Sequence, residues 1–171
     1  MNSDEEREFR DFVTMRADSL RRLAYLLGGD WHLAEDAVQT ALTKLYVVWR
    51  RLHRRNEVEG YARRIVVRAV IDERRRAWFR RERVSGEVPE AARPDDNAAT
   101  ADRLVVLRAL SEMPARQRAT IVLRYWEDLS IEETADILSC PPGTVKSQTA
   151  RGLQRLRDLL EKPLSTPANG S

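Results

Sequence analysis

The side chains best suited to chemistry lie near the C-terminal end. The stretch Ser139-Cys140-Pro141-Pro142-Gly143 is followed by Thr144-Val145-Lys146-Ser147-Gln148-Thr149-Ala150-Arg151. On a helix of this phase Lys146, Ser147, Gln148 and Arg151 point outward while Val145 turns inward. Gln and Arg can pair with the edges of adenine and guanine, and Lys, Ser and Thr can hold phosphate oxygens. That is the chemistry of recognition, with no bond made or broken. A plain helical hairpin with a solvated face is the competing account. Against it stands the coincidence of a tight turn, a small residue at Ala135 and a polar outer face.

A second cluster precedes it. Basic residues far outnumber acids from Arg50 to Arg83, with Arg63, Arg64 and Arg68, then Arg74, Arg75 and Arg76, then Arg80, Arg81 and Arg83. Tyr61, Trp78 and Phe79 are interleaved. Aromatics among basic residues suit a surface where bases stack and phosphates pair. A solvated helix face with Trp78 in the core would explain the cluster alone, but two such surfaces on one short chain favour nucleic acid.

Other chemistries fit poorly. The two histidines, His32 and His53, have no nucleophilic partner at a recognisable spacing. Asp95-Asp96 sits in a polar joint, and Glu132-Glu133 belongs to a helix start. No catalytic residues are therefore assigned, and no cofactor. The single cysteine, Cys140, allows no intrachain disulfide, and one Cys with two His makes a poor metal site. The N-terminus is acidic without an apolar signal core, and no apolar run approaches the ~20 residues of a membrane span. A cytoplasmic protein without a membrane partner is expected. Net charge is +3 and the pI about 9.3, with Lys44, Lys146 and Lys162 the only lysines. The arginine bias suits bidentate phosphate contacts, although a GC-rich genome would also produce it.

The elements that must position these residues read as an all-α chain of two small helical domains joined by a flexible linker. The first covers 6–83. Phe9, Phe12, Val13, Leu20, Leu23, Ala24 and Leu27 recur at helical spacing, and Gly28-Gly29-Asp30 stops that helix and caps the next. The second helix runs from about His32 to Leu52, with Ala34, Ala37, Val38, Ala41, Leu45 and Val48 inward. A polar loop is expected from His53 to Gly60, then a third helix carrying Tyr61, Ile65, Val66, Ala69, Val70 and Ile71. Residues 84–102, rich in Pro, Gly, Ala and Asp, form the linker. The second domain covers 103–162. Leu104, Val105, Leu107, Leu110 and Met113 make one helix, ended near Pro114. Gln117 to Trp126 makes another, with Ile121, Val122 and Tyr125 inward. Ser130 and Glu133 form a capping box, and Thr144 is expected to cap the last helix. Residues 163–171 are expected to be a disordered tail.

These residues resemble a known family, the bacterial extracytoplasmic-function (ECF) sigma factors of the sigma-70 class. Asp36-Ala37-Val38-Gln39-Thr40-Ala41-Leu42 is similar to their acidic-apolar-Gln signature. Tyr61-Ala62-Arg63-Arg64-Ile65 with Asp72-Glu73-Arg74-Arg75-Arg76 resembles their promoter-melting helix. Leu110-Ser111-Glu112-Met113-Pro114, Leu129 to Ala135 and Pro142-Gly143-Thr144-Val145-Lys146-Ser147 resemble their last domain. Tyr61 with Arg64 looks like the actinobacterial SigE branch.

The resemblance implies sigma domain 2 over 6–83 and sigma domain 4 over 103–162. It implies an alternative sigma factor that directs promoter-specific transcription initiation on core RNA polymerase, through the β′ clamp helices and the β flap. Asp36, Gln39 and Leu42 would bind the polymerase. The loop from Leu52 to Gly60 and the helix after it would take a flipped base of the −10 element, with Leu52, Tyr61, Arg64, Arg68, Arg74 and Arg75 on promoter DNA. Arg124, Thr144, Lys146, Ser147, Gln148, Ala150 and Arg151 would serve the −35 element. An anti-sigma protein is a candidate partner. Arg68 stands where the family often carries Asn, which puts the usual −10 base preference in doubt, and Ala150 offers fewer apolar base contacts. The alternative is a free-standing helix-turn-helix regulator that needs no polymerase, but no dimerisation helix with sustained heptads is visible.

Overall fold

The computed structural model describes residues 1–53, 57–83 and 101–162, apart from the side chains of 78, 79 and 81–83. Most of the linker (84–100), the tail (163–171), residues 54–56 and the interleaved Trp78 and Phe79 side chains lie outside the described residues.

The first unit is three long helices: α1 (Ser3–Gly28), α2 (Trp31–His53) and α3 (Val58–Arg83). Asn2 opens α1 in a capping box, its side chain accepting from the Glu5 backbone N–H at 2.8 Å while Glu5 Oε2 accepts from the Asn2 N–H at 3.0 Å. Gly29 closes it at φ +75°, a left-handed turn that glycine adopts without strain. Asp30 then caps α2 as the sequence suggests, accepting from the backbone N–H groups of His32 and Leu33 at 2.7 and 3.3 Å. Leu20, Leu23, Ala24 and Leu27 meet Ala34, Ala37, Val38, Ala41, Leu45 and Trp49 in the core. The Trp49 ring takes Phe9 edge-on at 5.2 Å. Ala62, Val66, Val67 and Val70 close the three-helix core from α3. The expected loop before Tyr61 is shorter than its composition suggests. Val58 is buried, so α3 starts there rather than beyond Gly60.

The second unit is α4 (Ala101–Ser111), α5 (Ala115–Ile121) continued by a π turn (Val122–Trp126), α6 (Ile131–Leu138) and α7 (Pro142–Glu161). The π turn corrects one expectation: Ile121 and Val122 are buried, but Tyr125 is exposed. Five residues per hydrogen-bonded turn advance the phase by one position relative to an α-helix, and Tyr125 is carried off the inner face. Leu104 is also exposed, whereas Leu110 and Met113 are buried. Ser130 forms the expected capping box with Glu133, at 3.0 Å and 2.9 Å. Thr144 does not cap α7: the helix starts at Pro142 after Pro141, with no side-chain cap. Proline at N1 has no N–H to satisfy and a φ already set for helix.

Every regular element among the described residues is a helix, with no strand among them. The two units pack on each other: α3 lies against α5 and α6, and α1 against α4, α5 and the π turn. One contiguous buried cluster runs through both units.

Candidate nucleic-acid interface

The helix-turn-helix is α6, the turn at Ser139-Cys140-Pro141 and α7. Ala135 and Leu138 on α6 are 5 % exposed and Val145 on α7 fully buried, so the two helices seat on each other. Seven residues beyond Val145, on the same side of α7, Gly152 packs so closely on Ile121 that a Cβ would stand 2.8 Å from Ile121 Cγ1. Fixing that inner side sets the outer one. Lys146, Ser147, Ala150 and Arg151 are exposed, and Ser147 Oγ donates to the Thr144 carbonyl at 3.0 Å.

Gln148, expected to read bases, is only half exposed, and its Oε1 is buried without a partner. Thr144 is half-buried in the first turn. Arg124, expected near phosphate, turns its Nη1 to the Leu129 carbonyl just before α6, and its Nε is buried without a partner. Arg124 thus braces the approach to the helix-turn-helix.

The basic face of α3 divides in two. Arg75 is exposed. Arg74 turns inward and donates from Nη1 to the Leu27 carbonyl at 3.1 Å, which places its charge at the negative end of α1. Tyr61 is half-buried against the core. Leu52, expected on the −10 strand, is 6 % exposed and belongs to the core: the last turn of α2 points it inward, into the cluster that holds Trp49 and Val58, and away from the surface a DNA contact needs. Asp36 and Gln39 on α2 are exposed and Leu42 is half-buried beside them.

Arg64 and Arg68 do not stand free. Arg64 Nη2 lies 2.5 Å from Asp136 Oδ2 on α6, and its Nε is buried without a partner. Arg68 Nη2 donates to Ser139 Oγ at 2.5 Å, and Ser139 holds the left-handed φ of +54° that ends α6. Arg63 completes the row with Glu127 at 3.1 Å.

The seam also holds a residue the sequence reading missed. Arg118 on α5 is 1 % exposed, with Nε donating to the Leu26 carbonyl at 2.5 Å, Nη2 to the Tyr25 carbonyl at 3.5 Å and Nη1 buried without a partner. Loss of hydration pushes its guanidinium down to about 9, and the neighbouring charge of Arg74 adds to this. A signal was present: Arg118 shares a helical face with Ile121 and Val122, an apolar stripe where a charge must find carbonyl partners.

Among the described residues no group of His, Cys, Asp and Glu could hold a metal ion, and no helix is long and apolar enough to cross a membrane. A helical protein with an exposed reading helix and an arginine-lined second face is of the DNA-binding class. The comparisons narrow it. Residues 12–80 match the family described as Sigma-70 region 2, and residues 103–156 match Sigma-70, region 4. The RNA polymerase sigma-E factor of Streptomyces avermitilis is 35% identical over 158 residues, covering 90% of this chain and 86% of that one. The ECF RNA polymerase sigma factor SigE of Mycolicibacterium smegmatis is 34% identical, covering 94% of this chain and 65% of its own. Among solved structures, the sigma factor RpoE of Bartonella quintana, in complex with the anti-sigma factor NepR, superposes with a TM-score of 0.73 at 25% identity, covering 90% of this chain and 96% of that one. The chain belongs to the ECF sigma factors of the sigma-70 family. It is an alternative sigma factor, a non-enzymatic factor for transcription initiation.

Proposed function

We propose that the two units divide promoter recognition between them, domain 2 over 6–83 and domain 4 over 103–162. The exposed row Lys146, Ser147, Ala150 and Arg151 on α7 reads the −35 element, with Arg151 on base edges and Lys146 on phosphate. Arg64, Arg68 and Arg75, with the half-buried Tyr61, take the −10 strand. Asp36, Gln39 and Leu42 form the polymerase-facing side of α2. The observation that carries this reading is the exposed α7 row, held outward by the buried Val145 and Gly152, on a helix that packs mainly on α4, α5 and α6 of its own unit. Core RNA polymerase, through its β′ clamp helices and β flap, and promoter DNA are the partners. An anti-sigma protein is a further candidate, since the similar Bartonella factor is bound to one. A cytoplasmic place follows from that role.

Run-off transcription with bacterial core polymerase tests the reading. Discrete transcripts from pooled genomic fragments, present only when the protein is added, are expected and give both promoter elements. Specific DNA binding by the protein alone without transcripts would replace this reading with a free-standing regulator.

A further inference from the structure

A cavity lined by none of the residues proposed for DNA or polymerase lies where α1 and the start of α2 meet α4 and the π turn. Its volume is about 420 Å³. Small-ligand sites run from ~300 to ~1,000 Å³. Native interiors leave few voids larger than a water, so a cavity of this size against one contiguous apolar core needs an occupant. Water suits it poorly. Leu23, Leu26, Val106 and Leu107 line it and their side chains offer no hydrogen bond, and a buried water needs several polar partners. An apolar body fits such walls.

Three aromatic side chains narrow the kind of body. Tyr25 and Trp31 stack at the cavity, with ring centroids 4.1 Å apart and planes 10° from parallel. Trp126, set there by the π turn, is 49 % exposed and so keeps much of its ring free for contact. Rings gain most from other rings, stacked or edge-on. The charges at the cavity are uneven. Arg22 is exposed and pairs with no acid among the described residues. Glu127 is already answered by Arg63 at 3.1 Å, so Arg22 and Arg103 outweigh Asp102. The planar fork of Arg22 suits the two oxygens of a carboxylate.

We propose that this cavity is a binding site for a small planar aromatic acid, its rings among Tyr25, Trp31 and Trp126 and its carboxylate on Arg22. Such a ligand touches both units at once, α1 and α2 of the first and α4 and the π turn of the second. Because the site exists only in the folded chain, its occupation raises stability by mass action.

The test uses the full chain and naphthoate, with naphthamide as the neutral counterpart of the same shape. NMR follows the indole N–H signals of the 4 tryptophans, assigned by single substitutions. Naphthoate is expected to shift those of Trp31 and Trp126 and to leave that of Trp49, buried in the three-helix core, in place. Calorimetry then gives the affinities. Arg22→Ala is expected to weaken naphthoate about fivefold and to leave naphthamide unchanged. Leu107→Trp, which fills the cavity, is expected to abolish the binding of both. If that variant fails to fold by circular dichroism, Arg22→Ala decides alone, since Arg22 is exposed and outside the core. No binding up to the solubility limit of naphthoate, or shifts that spare Trp31 and Trp126, overturns the site. Binding that survives in a folded Leu107→Trp protein overturns the cavity as its place. Equal affinity for naphthoate and naphthamide, or an Arg22→Ala protein that weakens both alike, overturns the carboxylate on Arg22.

Discussion

Arg64 and Asp136, 72 residues apart in sequence, meet across the seam with Nη2 and Oδ2 2.5 Å apart. A guanidinium proposed for the −10 strand meets a carboxylate of the chain's own helix-turn-helix. The pair is unevenly exposed, 36 % for the arginine side chain and 72 % for the aspartate, whereas Arg63 and Glu127 are 20 % and 25 %. Water and salt screen the first pair more than the second. Double-mutant cycles by urea unfolding should therefore give a coupling of a few tenths of a kcal/mol for Arg64–Asp136 and ~1 kcal/mol for Arg63–Glu127. Equal couplings, or the reverse order, would show that exposure does not govern the seam.

Ser139 carries two jobs that pull apart. Its φ of +54° is costly for a residue with a Cβ, and its Oγ accepts from Arg68. Ser139→Gly removes both the strain and the acceptor. Relief of the left-handed backbone is worth up to ~1 kcal/mol. We expect Arg68 to be released while thermal stability holds or rises. A fall in melting temperature comparable to that of a core truncation would show that the hydroxyl, not the backbone, dominates this turn.

The packing of α7 on α5 has no room to spare. A Cβ on Gly152 would stand 2.8 and 3.0 Å from Ile121 Cγ1 and Cδ1. Gly152→Ala should cost ~1–3 kcal/mol by overpacking, despite alanine's better helix propensity. In an Ile121→Ala background the same substitution should cost much less or become favourable. Simple additivity of the two changes would exclude the clash.

Glu5 supplies a pH dependence at the other end of the chain. The Asn2 backbone N–H, with Arg50 adding its charge and hydrogen bond, holds the Glu5 carboxyl below its ordinary 4.5. The folded value is the lower one, so the carboxylate's stabilisation is present above the unfolded value and is lost as pH falls through the folded one. Glu5→Gln should lower the melting temperature at neutral pH and make little difference near pH ~3. A deficit that persists undiminished in acid would mean that the cap acts through the amide geometry and not through charge.

Sequence and structure agree where local chemistry decides. The Asp30 and Ser130 caps and the Gly29 stop are set by a few adjacent residues, and the apolar repeats of α1 and α2 by helical phase. Disagreement begins where a distant contact or a change of phase intervenes. Leu52 looks like a loop residue beside Arg51 and His53, yet the core reaches it. The π turn that exposes Tyr125 leaves no mark in an apolar-polar pattern. Arg74, Arg68 and Arg64 read alike as basic residues on one helix, and only the fold separates the one that caps α1 from the two that meet the helix-turn-helix. Arg118 was hidden for the same reason: its partners are carbonyls 92 and 93 residues away, and carbonyls have no sequence signature.

Arg151 and Gln39 should separate the two proposed duties. Both are exposed, one on α7 and one on α2, so neither substitution disturbs a core. Arg151→Ala removes the guanidinium proposed to read bases and should cost about 1–3 kcal/mol of discrimination between cognate and altered −35 duplex, with polymerase binding retained. Gln39→Ala should weaken core polymerase binding while leaving −35 discrimination intact. Fluorescence anisotropy with duplex and with core polymerase measures each arm independently. If Arg151→Ala instead lost the polymerase and kept its discrimination, α7 would be a docking helix, and the reading of its exposed row as a DNA interface would have to be abandoned.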